Sequence, residues 1–151
     1  MKKYACVVAF ILLALPGCRS REEMVTPAQL PGTWQFSSSE VIAWGAQSGQ
    51  PLVLTPEDMG YDLFYEFFPD STFVKRLSTG VRTAGTYSVQ YTDGAYRVAL
   101  RYREETGEAE QVLQSSCSYY GEFALELAGP DQLIEDDQGC DGPKWIFRKV
   151  E

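Results

Sequence analysis

The 151-residue chain contains no histidine and no asparagine. Without histidine it lacks the commonest general base and the commonest transition-metal ligand. It has no Gly-x-Ser-x-Gly elbow and no carboxylate pair spaced for acid–base work, so the sequence reads as that of a non-enzymatic protein with no cofactor. Positive charge is scarce: 13 Lys and Arg stand against 21 Asp and Glu, a formal net charge of −8. An acidic surface repels phosphate backbones and excludes nucleic acid as a natural partner. Long hydrophobic runs are also missing. The longest, Tyr4 to Leu15, falls short of the ~20 apolar residues that a membrane-spanning helix needs.

What that short run does fit is an export signal. Lys2 and Lys3 supply its basic start, Tyr4 to Leu15 its apolar centre, and Leu15-Pro16-Gly17-Cys18 closes it with a small residue before cysteine. The last four residues resemble the lipobox of bacterial lipoproteins. The resemblance implies that residues 1–17 are removed and that Cys18 carries a diacylglycerol and an N-acyl chain, palmitate being typical. Each buried methylene contributes ~0.8 kcal/mol, so chains of this length tether the protein durably to a membrane. Arg19 follows the lipid cysteine in place of an inner-membrane retention aspartate, which points to the outer membrane of the cell envelope.

With Cys6 lost in the signal and Cys18 taken by lipid, Cys117 and Cys140 remain. An exported chain meets an oxidising compartment, where such a pair forms a disulfide; a reduced pair or a thiol metal site is the alternative. Two cysteines without histidine make a poor zinc site.

The mature chain is long enough for one domain with its own core. Residues 18–29 form the lipidated cysteine and tether, and 30–151 the domain. From Tyr61 onward the pattern has period two, interrupted by turn formers, which predicts an antiparallel meander. Ala95 to Arg103 is the clearest case: Tyr96, Val98, Leu100 and Tyr102 share one face, and Arg97, Ala99, Arg101 and Arg103 the other. Gly32–Ser38, Tyr61–Phe68, Thr72–Leu77, Gly85–Tyr91, Ala109–Gln114, Glu122–Leu127, Gln132–Glu135 and Lys144–Val150 bring the predicted strands to nine. Thr92-Asp93-Gly94 and Pro69-Asp70-Ser71 are apt hairpin links. Thr55-Pro56-Glu57-Asp58 marks one helical turn.

Neighbouring strands joined by hairpins close most simply as an up-and-down barrel, which also removes exposed edges. Gly32-Thr33-Trp34 behind a helical turn at Thr26-Pro27, the phenylalanine hairpin Phe67 to Phe73, Gly85-Thr86-Tyr87 and the basic aromatic ending Trp145 to Lys149 together resemble the lipocalin-like domains of bacterial lipoproteins. The resemblance implies an all-β calycin barrel of about 8–9 strands. It also implies barrel closure in which Arg148 covers Trp34 beside Gly32, a cation–π contact contributing ~1 kcal/mol.

The domain then has two candidate roles. In the first, Tyr65, Tyr87, Tyr91, Tyr96 and Tyr102 point inward and, with Trp44 from a lid over residues 38–60, receive a small, mostly apolar ligand. In the second, side chains fill the barrel, the 38–60 stretch completes the core or adds a strand, and the protein is an envelope scaffold that binds another protein. Glu135-Asp136-Asp137 with Asp141-Gly142 reads as a solvated acidic loop; in EF-hand register its third position is Gly139 and its twelfth Arg148, which argues against calcium. Arg97, Arg101 and Arg103 read as an outer stripe paired across a hairpin with Glu108 and Glu110.

Overall fold

The computed structural model describes residues 26–41, 51–103, 123–137 and 142–151. Its strands are β1 (Gly32–Val41), β2 (Leu52–Leu54), β3 (Leu63–Phe67), β4 (Thr72–Leu77), β5 (Arg82–Thr92), β6 (Ala95–Tyr102), β7 (Phe123–Gly129), β8 (Gln132–Asp136) and β9 (Lys144–Lys149). A short helix α1 (Pro56–Met59) precedes β3, and a 3-10 turn (Pro27–Gln29) precedes β1. From β3 to β9 each strand pairs antiparallel with the next, and β9 returns to β1. Eight strands thus close into an up-and-down barrel, with β2 appended to β1. This is an all-β up-and-down barrel of the kind the resemblance implied. Nine strands were also expected, but a different nine: the expected set omits β2 and includes Ala109–Gln114, which lies outside the described residues, as do Cys18, Trp44, Cys117 and Cys140.

Local chemistry explains the closure. Asp93 and Gly94 both have positive φ (54° and 82°), the primed turn whose twist matches its flanking strands, so the longest hairpin, β5–β6, is set by two residues. On β1 the register to β9 shifts between Phe36 and Ser38, and the Ser37 hydroxyl donates to the Ile146 carbonyl at 3.0 Å. That bulge bends β1, so that one edge pairs with β3 over Gly32–Gln35 and then with β2 over Ser39–Val41. Gly32 (φ 131°) is required where the chain ends meet, because a Cβ there would lie 2.2 Å from the Glu151 carbonyl oxygen.

The two barrel ends differ. The end that carries the β3–β4, β5–β6 and β7–β8 turns is closed by the 3-10 turn. Leu30 is fully buried there and its carbonyl accepts the Trp34 indole N–H at 2.8 Å. Residues 27–29 therefore form part of this barrel end. Above this plug, Trp34, Phe36, Phe67, Phe73, Leu127, Leu133 and Phe147 form a solid core. Tyr65 stacks on Phe67 with centroids 5.6 Å apart and meets Phe147 edge-on at 5.0 Å. The opposite end, where β1, β4, β6 and β8 finish, is the mouth.

Candidate functional site

Strand parity carries charge into the barrel. On β4, Phe73, Lys75 and Leu77 share the inward face; on β8, Leu133 and Glu135 do. Lys75 and Glu135 are 4% and 2% exposed, and the Lys75 ammonium lies 3.1 Å from each Glu135 carboxylate oxygen. The Tyr65 hydroxyl donates to the same carboxylate at 3.0 Å, and the Lys75 ammonium sits 4.8 Å from the Tyr65 ring centroid. The Tyr102 hydroxyl approaches that of Tyr65 to 3.4 Å, and its ring meets Phe73 edge-on at 5.1 Å. Gly85, paired with both Phe73 and Tyr102, makes this contact possible: a Cβ would lie 2.7 Å from the Phe73 ring.

Beside this group the mouth half holds two buried hydroxyls among the buried apolar side chains Leu63, Leu77 and Leu125. Thr83 is the cross-strand partner of Lys75 and is 1% exposed, and Ser39 on β1 is equally buried. Neither hydroxyl has a hydrogen-bond partner among the described residues. A buried hydroxyl left unpaired costs ~1–3 kcal/mol, so a barrel built for stability alone would place valine or alanine at such positions.

The electrostatics follow from burial. Burial alone would lower the Lys75 ammonium, but the Glu135 carboxylate, helped by Tyr102 and Asp137, outweighs it and holds Lys75 above the usual lysine value. Burial first, then the neighbouring Glu135 carboxylate, pushes the Tyr65 phenol well up; Tyr102 is raised chiefly by burial. At neutral pH the group is thus an ammonium–carboxylate pair flanked by two protonated phenols. Both faces of hydrogen bonding, donor and acceptor, are present inside an apolar wall.

The expected ligand residues separate. Tyr65 and Tyr102 join the polar group. Tyr87 packs at the closed end, where its hydroxyl donates to the Phe68 carbonyl at 2.8 Å and its ring meets Phe67 edge-on. Tyr91 is 65% exposed at the β5–β6 tip, outside the lumen, whereas Tyr96, its ring 5.0 Å away, is half-buried and packs against the core. Arg148 does not cover Trp34. Phe147 faces inward, so Arg148 faces out and lies 3.5 Å from Asp131, whereas Lys149 points in and sits 5.5 Å from the Trp34 ring centroid. The Lys149 ammonium also donates to the carbonyls of Gln29 and Pro31, which ties the plug to the last strand. Glu135 is no part of a solvated acidic loop, and Arg97 pairs with Glu126 on β7 at 3.0 Å. A separate outer groove of about 250 Å³ on β5 and β6 is lined mainly by the outward residues Thr86, Ser88, Ala99 and Arg101.

Lys75, Glu135, Thr83 and Ser39 were absent from the expected site. Parity was the available signal, since Lys75 alternates with Phe73 and Leu77, and Glu135 with Leu133.

No family model and no curated protein matches the chain. Among solved structures, it is similar to a lipocalin-like protein from Bacteroides uniformis, with a TM-score of 0.46 and 18% identity over 81% of this chain and 99% of that one. It is also similar to an uncharacterised protein from Bacteroides eggerthii, with a TM-score of 0.44 and 15% identity over 80% and 98% of the two chains.

Proposed function

We propose that this protein is a lipid-anchored envelope lipoprotein that buries a small, mostly apolar ligand in the mouth half of its barrel, the polar end of that ligand meeting Lys75, Glu135, Tyr65 and Tyr102. The observation that carries the reading is the contrast between the two halves. The closed half is packed with aromatics, whereas toward the mouth, among Leu63, Leu77 and Leu125, the barrel holds an ion pair, two phenols and two hydroxyls without a partner among the described residues. Stability does not account for this, because apolar residues in place of a buried ion pair are commonly neutral or stabilising. The mechanism is reversible burial without covalent chemistry.

The anchor is Cys18, and the compartment is the cell envelope, with the outer membrane the destination. Fractionation tests that placement: recovery solely with inner membrane would sink it. Ligand binding is tested on delipidated protein by titration with 1-anilinonaphthalene-8-sulfonate, an apolar probe with one charged end. Saturable uptake that weakens in Thr83→Val is expected. Uptake that never saturates favours the second reading, a filled barrel that serves as a scaffold for an envelope protein, to which the solid closed half lends support.

A further inference from the structure

Five large hydrophobic side chains stand out as exposed among the described residues, and three of them lie at the closed end. Phe68 (41% exposed) is on the β3–β4 turn, Tyr91 (65%) precedes the β5–β6 turn, and Val150 (49%) follows β9. They share one side of the rim, since they sit at the ends of the second, fourth and eighth staves of the closed ring counted from β1. Their positions are fixed. Phe68 is held by the Tyr87 hydroxyl on its carbonyl and by an Asp70 carboxylate that accepts the Thr72 N–H at 3.0 Å, while Tyr91 packs on Tyr96.

The chain reaches this end from Cys18. Thr26 opens the 3-10 turn that plugs it, eight residues after the cysteine. At about 3.3–3.6 Å per residue, that span is at most roughly 29 Å when fully drawn out. Running back along a tilted eight-residue stave to the mouth would use about 20 Å of it. The closed end is therefore the end that a short tether holds against a bilayer.

Resting on the anchor reading above, we infer that the closed end is a membrane-facing surface, with Phe68, Tyr91 and Val150 seated in the headgroup layer and the mouth turned to the aqueous side. Tyrosine, with an apolar ring and a polar tip, favours that layer, and Phe68 and Val150 add apolar surface beside it. Charge selects the lipid. The same rim carries Asp70, Asp93, Glu151 and an Asp131 offset by Arg148, a net negative set that an anionic leaflet repels and a zwitterionic one tolerates. Contact is accordingly shallow, with the aspartates at water level.

Hydrogen exchange of the lipidated protein on phosphatidylcholine vesicles, compared with the delipidated protein, tests this. Amides of 68–72 and 91–96 are expected to slow several-fold while those of 76–82 at the mouth stay unchanged. The slowing should disappear in Phe68→Ser/Tyr91→Ser, whose positions are surface ones, and shrink when phosphatidylglycerol is added. If the protein floats with the vesicles but exchange is unaltered at the rim, or slows at the mouth instead, the inference is overturned and the anchor stands. If the wild type carries no acyl mass and does not float, the anchor reading falls and this one with it.

Discussion

Lys75 and Glu135 stand on strands four places apart in a ring of eight, so their 3.1 Å ion pair crosses the barrel from one wall to the opposite one. It acts as a strut. Removing one partner leaves the other as an uncompensated buried charge, at a cost of about 3–5 kcal/mol. Lys75→Met should lower the urea midpoint accordingly, while Lys75→Met/Glu135→Leu should recover most of the loss. If the double variant remains as unstable as the single one, the pair does more than neutralise itself.

Alkaline pH should unfold the barrel earlier than an ordinary acidic protein. Lys75 is raised in the folded state, so its contribution is complete below the unfolded lysine value and is lost as pH rises through the folded one. Raised phenols act in the same direction: unfolded tyrosine ionises near pH 10 while buried Tyr65 and Tyr102 stay protonated, which favours unfolding above that pH. Melting temperature is expected to fall from about pH 10 upward, where both groups ionise in the unfolded chain. Tyr65→Phe should flatten that limb, and an unchanged slope would refute the assignment.

Gly85→Ala tests the ring contact that seats Tyr102. The new methyl would meet the Phe73 ring and the Arg101 carbonyl, and overpacking of this kind costs about 1–3 kcal/mol. Tyr102 should also lose its approach to Tyr65, which ultraviolet difference spectra on alkaline titration would register as a lower phenol transition.

Lys149 and Arg148 should behave differently despite their adjacency. Lys149→Ala leaves the carbonyls of Gln29 and Pro31 without their donor and opens the plug over Trp34, so a red shift in tryptophan emission and lower stability are expected. Arg148→Ala removes an exposed contact to Asp131, worth less than about 1 kcal/mol. Equal effects would contradict the closure described.

Much of the barrel was legible because alternation survives along its strands. Ala95 to Arg103 reads cleanly, with Val98 and Leu100 buried as their parity requires. The site was less legible because charge was taken as a sign of solvent. Lys75 lies within a strand whose bounds the alternation predicts, and Glu135 differs in parity from Asp136 but shares it with Asp137, which is buried as well. The resemblance assigns the cover of Trp34 to Arg148, but the inward parity of Phe147 gives that place to Lys149. Tyr91 was misplaced for another reason: its parity suits the lumen, but β5 outruns the rim, and strand length beyond a closed end leaves no mark in hydrophobic pattern.

The bulge at Ser37 has a mechanical consequence. Because β1 changes partner there, its edge pairs with β3 near the closed end but, toward the mouth, only with the three-residue β2, which lies outside the ring of eight. Every joint of the ring itself is a pairing of at least four register positions. Release of β2 would therefore break none of the eight pairings that close the barrel, and would bare only the β1 edge at Ser39–Val41.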